Sequence, residues 1–144
     1  HAELVELLPL VQSAARSCKE GTCEIDVTPG QMVRVKPNAF GRLLANLIGN
    51  AVRYAKTVKV TASVADHMLT LLVDDDGPGI PPDIAADIFE PFVSGRENGT
   101  GLGLALVSKI ITDHGGLIGA DSVPGRTVFR ISLPLAPKEK LKET

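Results

Sequence analysis

Three carboxylates in a row, Asp74, Asp75 and Asp76, end an apolar run and lead into Gly77-Pro78-Gly79. An ionised carboxylate only accepts hydrogen bonds, so one that faces inward suits an amino group on a ligand. The three cannot easily converge on one cation, because consecutive strand residues point to opposite faces. One acid therefore faces the interior, and its neighbours face solvent or cap the turn, where Asp is favoured.

A second group is Arg42, Asn46, Asn50 and Arg53, spaced i, i+4, i+8 and i+11, which forms a polar row on a helix. Asn is a mediocre helix former, since its amide competes for backbone partners, so two of them one turn apart need a reason. One reading is a solvated face. The other is an amide oxygen offered to a hard cation such as Mg²⁺, which takes oxygen ligands and shares them with substrate phosphates. The third group is Gly99, Gly101 and Gly103, crowding the start of a strong helix with Thr100 and Leu102 between them. Unpaired N–H groups and the positive dipole end favour an anion there, and the other reading is a packing or turn role. Leu104 and Leu106 break the dinucleotide fingerprint, and no Gly-Lys-Ser/Thr follows for a P-loop.

The elements that must position these groups fit one domain. The chain has 144 residues, 44% of them hydrophobic, enough for one continuous core. Its formal net charge of -2 provides no broad basic field, which argues against nucleic acid or an anionic membrane as partner. Cys18 and Cys23 are too few for a disulfide framework and read as free thiols. No apolar run approaches the roughly 20 residues of a membrane span. Residue 1 falls inside an expected helix, so the chain reads as a soluble piece of something longer.

Leu4, Leu7, Leu8, Val11 and Ala15 predict a helix within residues 3–17, starting late or bending at Pro9. The runs 23–27 and 32–35 flank Thr28-Pro29-Gly30 and predict a hairpin. Phe40, Leu43, Leu44, Leu47, Ile48, Ala51 and Val52 predict an amphipathic helix over 37–54, with Pro37 in its first turn. Strands at 57–65 and 68–75 form a second hairpin about Asp66-His67. A short helical segment with Ile84, Ile88 and Phe89 follows Pro81-Pro82, and then a polar loop over 93–99. A helix over 102–113, with Leu102, Ala105, Leu106, Lys109 and Ile110 in register, stops at His114-Gly115-Gly116. Strands at 117–121 and 127–133 meet at Val123-Pro124-Gly125. The pattern predicts a two-layer α/β sandwich with a mixed, mostly antiparallel sheet against about three helices, not a doubly wound parallel sheet. The domain spans 1–136, and 137–144 is a frayed, charged tail.

Taken in order, these stretches resemble the ATP-binding catalytic domain of sensor histidine kinases, in the superfamily shared with gyrase, Hsp90 and MutL. Residues 46–54 look like the N box, 75–80 the first glycine box, 88–92 the F box and 99–107 the second glycine box. The resemblance covers about residues 3–135 and implies the Bergerat ATP-binding fold, with ATP and Mg²⁺ as cofactors. It implies that Asp75 binds the adenine amino group, while Gly77 and Gly79 let the base lie close and Asp74 and Asp76 keep turn and solvent roles. Asn50 would be the Mg²⁺ ligand, Asn46 a polar neighbour of the phosphates, Arg53 a phosphate contact, and Tyr54 a packing partner of the nucleotide. Backbone N–H groups from Gly99, Thr100, Gly101, Leu102 and Gly103 would hold phosphates. Thr127 would reach the adenine through water, and residues 93–99 would be a short lid carrying Arg96.

The chain departs from the pattern twice. Lys36-Pro37-Asn38 stands where an Asp is common, which touches helix capping, and Arg126 stands where a second glycine is common, which bears on Thr127. One further position bears on the reaction. The ATPase branch implies a Glu one turn before the metal-binding Asn, to activate water; here that residue is Asn46, and an amide cannot take a proton. That substitution favours a kinase over a hydrolase. None of His1, His67 and His114 sits on a helix before an acid as the phosphoacceptor would, and His114 reads as structural. The resemblance therefore implies a separate helical dimerisation domain bearing the acceptor histidine, a response regulator downstream, a monomeric fragment, and a cytoplasmic domain of a membrane sensor. The rival expectations are an ATPase or anti-sigma-type serine kinase of the same superfamily, and a partner-binding sandwich with no nucleotide.

Overall fold

The computed structural model describes residues 1–16, 22–83, 87–89 and 103–135. Cys18, the start of the segment after Pro82, the F-box residues past Phe89, the expected lid with Arg96, the glycine run Gly99 to Leu102 and the tail 137–144 lie outside the described residues.

The elements run β1 (Glu3–Glu6), α1 (Leu7–Ala14), β2 (Cys23–Asp26), β3 (Met32–Val35), α2 (Pro37–Tyr54), β4 (Val58–Ala65), β5 (Met68–Asp75), α3 (Gly103–Asp113), β6 (Leu117–Val123) and β7 (Arg126–Pro134). A five-stranded sheet has the order β2-β4-β5-β7-β6, and β1 pairs with β3 in a separate two-stranded ribbon. Within the larger sheet only β2 and β4 run parallel. The helices pack as one layer, α2 between α1 and α3, with α2 lying over β4 and β5 and α3 against β6. The two-layer sandwich is the expected one.

Helix α2 forms as its sequence requires. Pro37 opens it, and Phe40, Leu43, Leu44, Leu47, Ile48 and Ala51 are all buried against the sheet residues Val58, Val60, Leu69, Leu71, Val73, Phe129 and Ile131. Truncating one of these large side chains, as in Leu47→Ala, would cost about 2–5 kcal/mol. The β4–β5 hairpin also forms as expected, on a two-residue turn in which Asp66 (φ 52°) and His67 (φ 63°) both take positive φ. Such primed turns match the twist of the flanking strands.

Three expectations are corrected. Residue 1 does not lie in a helix: residues 3–6 are strand, and α1 begins at Leu7, the late start that Pro9 suggests, which leaves Pro9 in the first turn where its missing N–H costs nothing. The runs 23–27 and 32–35 are not a hairpin. β2 pairs with β4 through Cys23↔Val58 and Ile25↔Val60, whereas β3 pairs with β1 through Val33↔Val5. Both runs are short and alternate apolar with charged residues, a pattern that names no partner, and α2 supplies the long crossover that a parallel partner needs. The buried stripe of α3 is Val107, Ile110 and Ile111 rather than one through Lys109, which is exposed.

Candidate functional site

Strand β5 buries every second residue, Leu69, Leu71, Val73 and then Asp75, so the strand's own period carries one acid of the three indoors. Asp75 is 6% exposed, and its Oδ1 accepts the Gly77 N–H at 2.9 Å. Directly opposite it on β7 stands Thr127, fully buried. The Thr127 hydroxyl shares a 2.8 Å hydrogen bond with Ser122 Oγ on β6, and that oxygen accepts the Ile80 N–H at 2.7 Å. The segment after β5 is thereby tied to the β6–β7 hairpin.

Both glycines of this segment are demanded by the protein itself, before any ligand is considered. A Cβ on Gly77 would lie 2.9 Å from Asp75 Oδ1 and 3.3 Å from the Tyr54 carbonyl oxygen. Gly79 has φ +92°, and a Cβ there would come within 2.7 Å of the Val123 carbonyl oxygen.

The outer acids have distinct partners. Arg126 donates to both oxygens of Asp74, Nη2 to Oδ2 at 2.9 Å and Nε to Oδ1 at 3.2 Å. That hydrogen-bonded fork, and then the charge attraction, raises the Arg126 pKa further above its ordinary range. Arg126 thus spans β5 and β7 on the outer face of the sheet, opposite the buried Asp75 and Thr127. Asp76 Oδ1 accepts the N–H groups of Lys56 at 2.8 Å and Thr57 at 3.0 Å, and Oδ2 accepts the Thr57 hydroxyl at 2.9 Å. These bonds, the Thr57 N–H first and its hydroxyl next, lower the Asp76 pKa and outweigh the opposing desolvation. The turn-and-solvent role expected for Asp76 is therefore too small: it holds the connection that follows α2.

On α2, Asn46 and Asn50 are half-buried one turn apart, while Arg42 and Arg53 are exposed. Tyr54, the last residue of the helix, is half-buried, with its carbonyl against Gly77. Arg53 sits in the final turn, where a cation suits the negative end of the dipole. Among the described residues no group of three His, Cys, Asp or Glu side chains is placed to hold a metal ion. Helix α3 has no acid in its first turn, so nothing on it offsets the positive dipole end at Gly103.

His114 is structural. Its Nε2 accepts the Lys36 N–H at 3.0 Å, which leaves Nδ1 as the protonated nitrogen, donating to the Ile110 carbonyl oxygen at 2.7 Å. Its ring also lies 6.0 Å from that of Phe40. One side chain thus joins the end of α3 to the start of α2, and Gly115, with φ +75°, turns the chain out of the helix. Phe89 meets Phe129 edge-on at 6.2 Å. Sequence reasoning missed Ser122 and the pair Lys56-Thr57. Ser122 could have been found as a polar residue on the inward face of β6, but backbone donors carry no sequence signal.

The family described as histidine kinase-, DNA gyrase B- and HSP90-like ATPase matches residues 35–137. The sensory histidine kinase/phosphatase NtrB of Rhodobacter capsulatus is 76% identical over 71 residues, 49% of this chain and 20% of that protein. The signal transduction histidine-protein kinase AfsQ2 of Streptomyces coelicolor is 36% identical over 127 residues, 83% of this chain and 24% of that protein. The chain thus spans about a fifth to a quarter of the length of these relatives. Among solved structures, a mycobacterial sensor histidine kinase, MprB, superposes with a TM-score of 0.84 at 29% identity, covering 95% of this chain and 99% of that one. Full-length ShkA in complex with AMPPNP superposes with a TM-score of 0.77 at 31% identity, covering 94% of this chain and 32% of that one.

Proposed function

The chain belongs to the family of histidine kinase-, DNA gyrase B- and HSP90-like ATPases, and on that premise we propose that it is the ATP-binding catalytic domain of a two-component histidine kinase. It binds ATP and transfers the γ-phosphoryl group to a histidine on a separate helical dimerisation domain, from which a response regulator is served. The observation that carries this reading is Asp75: a carboxylate buried opposite Thr127 at the end of a strand, with the last turn of α2 beside it.

Asp75 accepts the adenine amino group, and Thr127, held by Ser122, lines the same end of the sheet. Asn50 presents its amide oxygen to Mg²⁺, which when bound neutralises charge on the triphosphate. Asn46, Arg53 and Arg96 are the polar neighbours of the phosphates. The N–H groups from Gly99 to Gly103, of which Gly103 opens α3, hold the phosphates. Transfer breaks the bond between the γ-phosphorus and the bridging oxygen and forms a phosphorus–nitrogen bond to the acceptor imidazole. The imidazole brings its own lone pair, so Asn46 need not act as a base. Among the described residues no helix is long and apolar enough to cross a membrane, and the domain works where ATP is available, on the cytoplasmic side.

Two measurements test the proposal. Calorimetry of the chain with Mg²⁺ and ATP is expected to show heat of association; silence ends the nucleotide reading. Incubation with labelled ATP and the cognate helical domain is expected to yield an acid-labile phosphoprotein. An acid-stable product would point to a serine acceptor instead.

A further inference from the structure

Asp76 closes a bridge between the two ends of the site. Besides the three bonds its carboxylate accepts from Lys56 and Thr57, its own N–H donates to the Thr57 carbonyl oxygen at 3.3 Å. Residues 56 and 57 follow α2 directly, since Ala55 is its C-cap and still donates to the Ala51 carbonyl oxygen at 3.0 Å. The bridge is met by a second contact, because Gly77 lies against the Tyr54 carbonyl, 3.3 Å from where a Cβ would stand. The segment 75–77 therefore grips the end of α2 at two points. Dipole electrostatics alone would put a cation beyond a helix C-terminus. A carboxylate stands there because two N–H groups and a hydroxyl converge on it.

We infer that Asp76 is a positioning residue, which sets the end of α2 bearing Asn50 and Arg53 against the strand end bearing Asp75, so that the phosphate and metal end of the site keeps its place relative to the base end. The inference rests on the nucleotide reading of the site and deepens it. A single ligand spans Asp75 and Asn50, and small misplacement of a positioning group is costly. Loosening the bridge costs little at Asp75, which β4 and β7 hold on both sides, and more at Asn50, whose distance from Asp75 depends on where α2 ends.

The test compares ATP with magnesium, ATP with EDTA, and adenosine, each titrated into the 144-residue chain. Magnesium is expected to tighten ATP binding to the wild type. In Asp76→Ala that gain shrinks by about five-fold or more, the low end of coupling between two sites, while adenosine affinity holds. Asp76→Asn keeps an Oδ1 that accepts both N–H groups and restores the gain. Thr57→Val removes one bond and leaves Asp76 in place; it moves the gain in the same direction by less, and it serves as the report if Asp76→Ala does not fold. A folded Asp76→Ala with the wild-type gain, or with ATP and adenosine weakened in equal proportion, overturns the inference and leaves the nucleotide site standing. So does an Asp76→Asn no better than Asp76→Ala, because charge and not the bridge would then matter. A wild type that binds none of the three overturns the proposed function, and the inference falls with it.

Discussion

Asp75 on β5 and Thr127 on β7 are direct partners in one antiparallel ladder, and both are buried. Arg126, one residue earlier on β7, reaches diagonally to Asp74 on the other face of the same two strands. An inner polar pair and an outer ion pair thus share a strand end. The outer pair joins an exposed arginine to a half-buried carboxylate and contributes little by itself. It places Arg126 away from Thr127's face, so the arginine that replaces a glycine does not block the inner pair.

Asp75→Asn keeps the shape and an oxygen for the Gly77 N–H but removes the charge. Affinity for Mg²⁺-ATP should fall about 10- to 100-fold, the range of a hydrogen bond to an ionised group. The rise in melting temperature that ligand confers on the wild type should be lost in the variant. An equal rise in both would rule out Asp75 as the base contact.

Asn50→Ala should abolish the gain in ATP affinity from magnesium and leave metal-free binding unchanged. Asn46→Glu supplies a proton acceptor one turn away, and phosphate release in the absence of any helical partner should increase. A general base contributes about 10²- to 10⁴-fold when well placed. Phosphate release unaltered by Asn46→Glu would mean that this side chain does not face the attacking group.

The lowered pKa of Asp76 has a definite sign. A carboxyl group more acidic in the folded chain than in the unfolded one adds stability above its unfolded pKa, about 3.9 for Asp. That contribution is lost as pH falls through the lower folded value. The melting-temperature advantage of the wild type over Asp76→Asn should therefore be constant near neutrality and shrink below about pH 4. An advantage that widens on acidification would contradict the hydrogen bonding described here.

Gly79→Ala combines a positive φ with a close approach to the Val123 carbonyl. It should destabilise the fold by more than about 1 kcal/mol in urea unfolding. A variant of wild-type stability would mean that the backbone relaxes freely there.

His114→Ala should lower stability by about 1 kcal/mol through loss of the Lys36 and Ile110 hydrogen bonds. Phosphotransfer by the folded variant should persist. Abolished transfer with intact ATP binding would make His114 more than a strut.

Much of the site was legible in the sequence because it follows local periods. Alternation along β5 is enough to send one acid of the three inward, the resemblance points to Asp75 as that one, and the 3.6-residue period of α2 puts Asn46 and Asn50 beside the buried stripe. Turn chemistry marked the β4–β5 and β6–β7 hairpins in the same way. Only the tertiary structure decided which strands pair beyond adjacent hairpins: β2 joined β4 and β3 joined β1, because a short run that alternates apolar with charged residues names no partner. Only it decided the fates of Asp74 and Asp76, since a carboxylate's partners here are an arginine on β7 and the N–H groups that follow α2, far away in sequence. Side-chain period is written in the chain; the aim of a backbone N–H depends on where the elements come to rest.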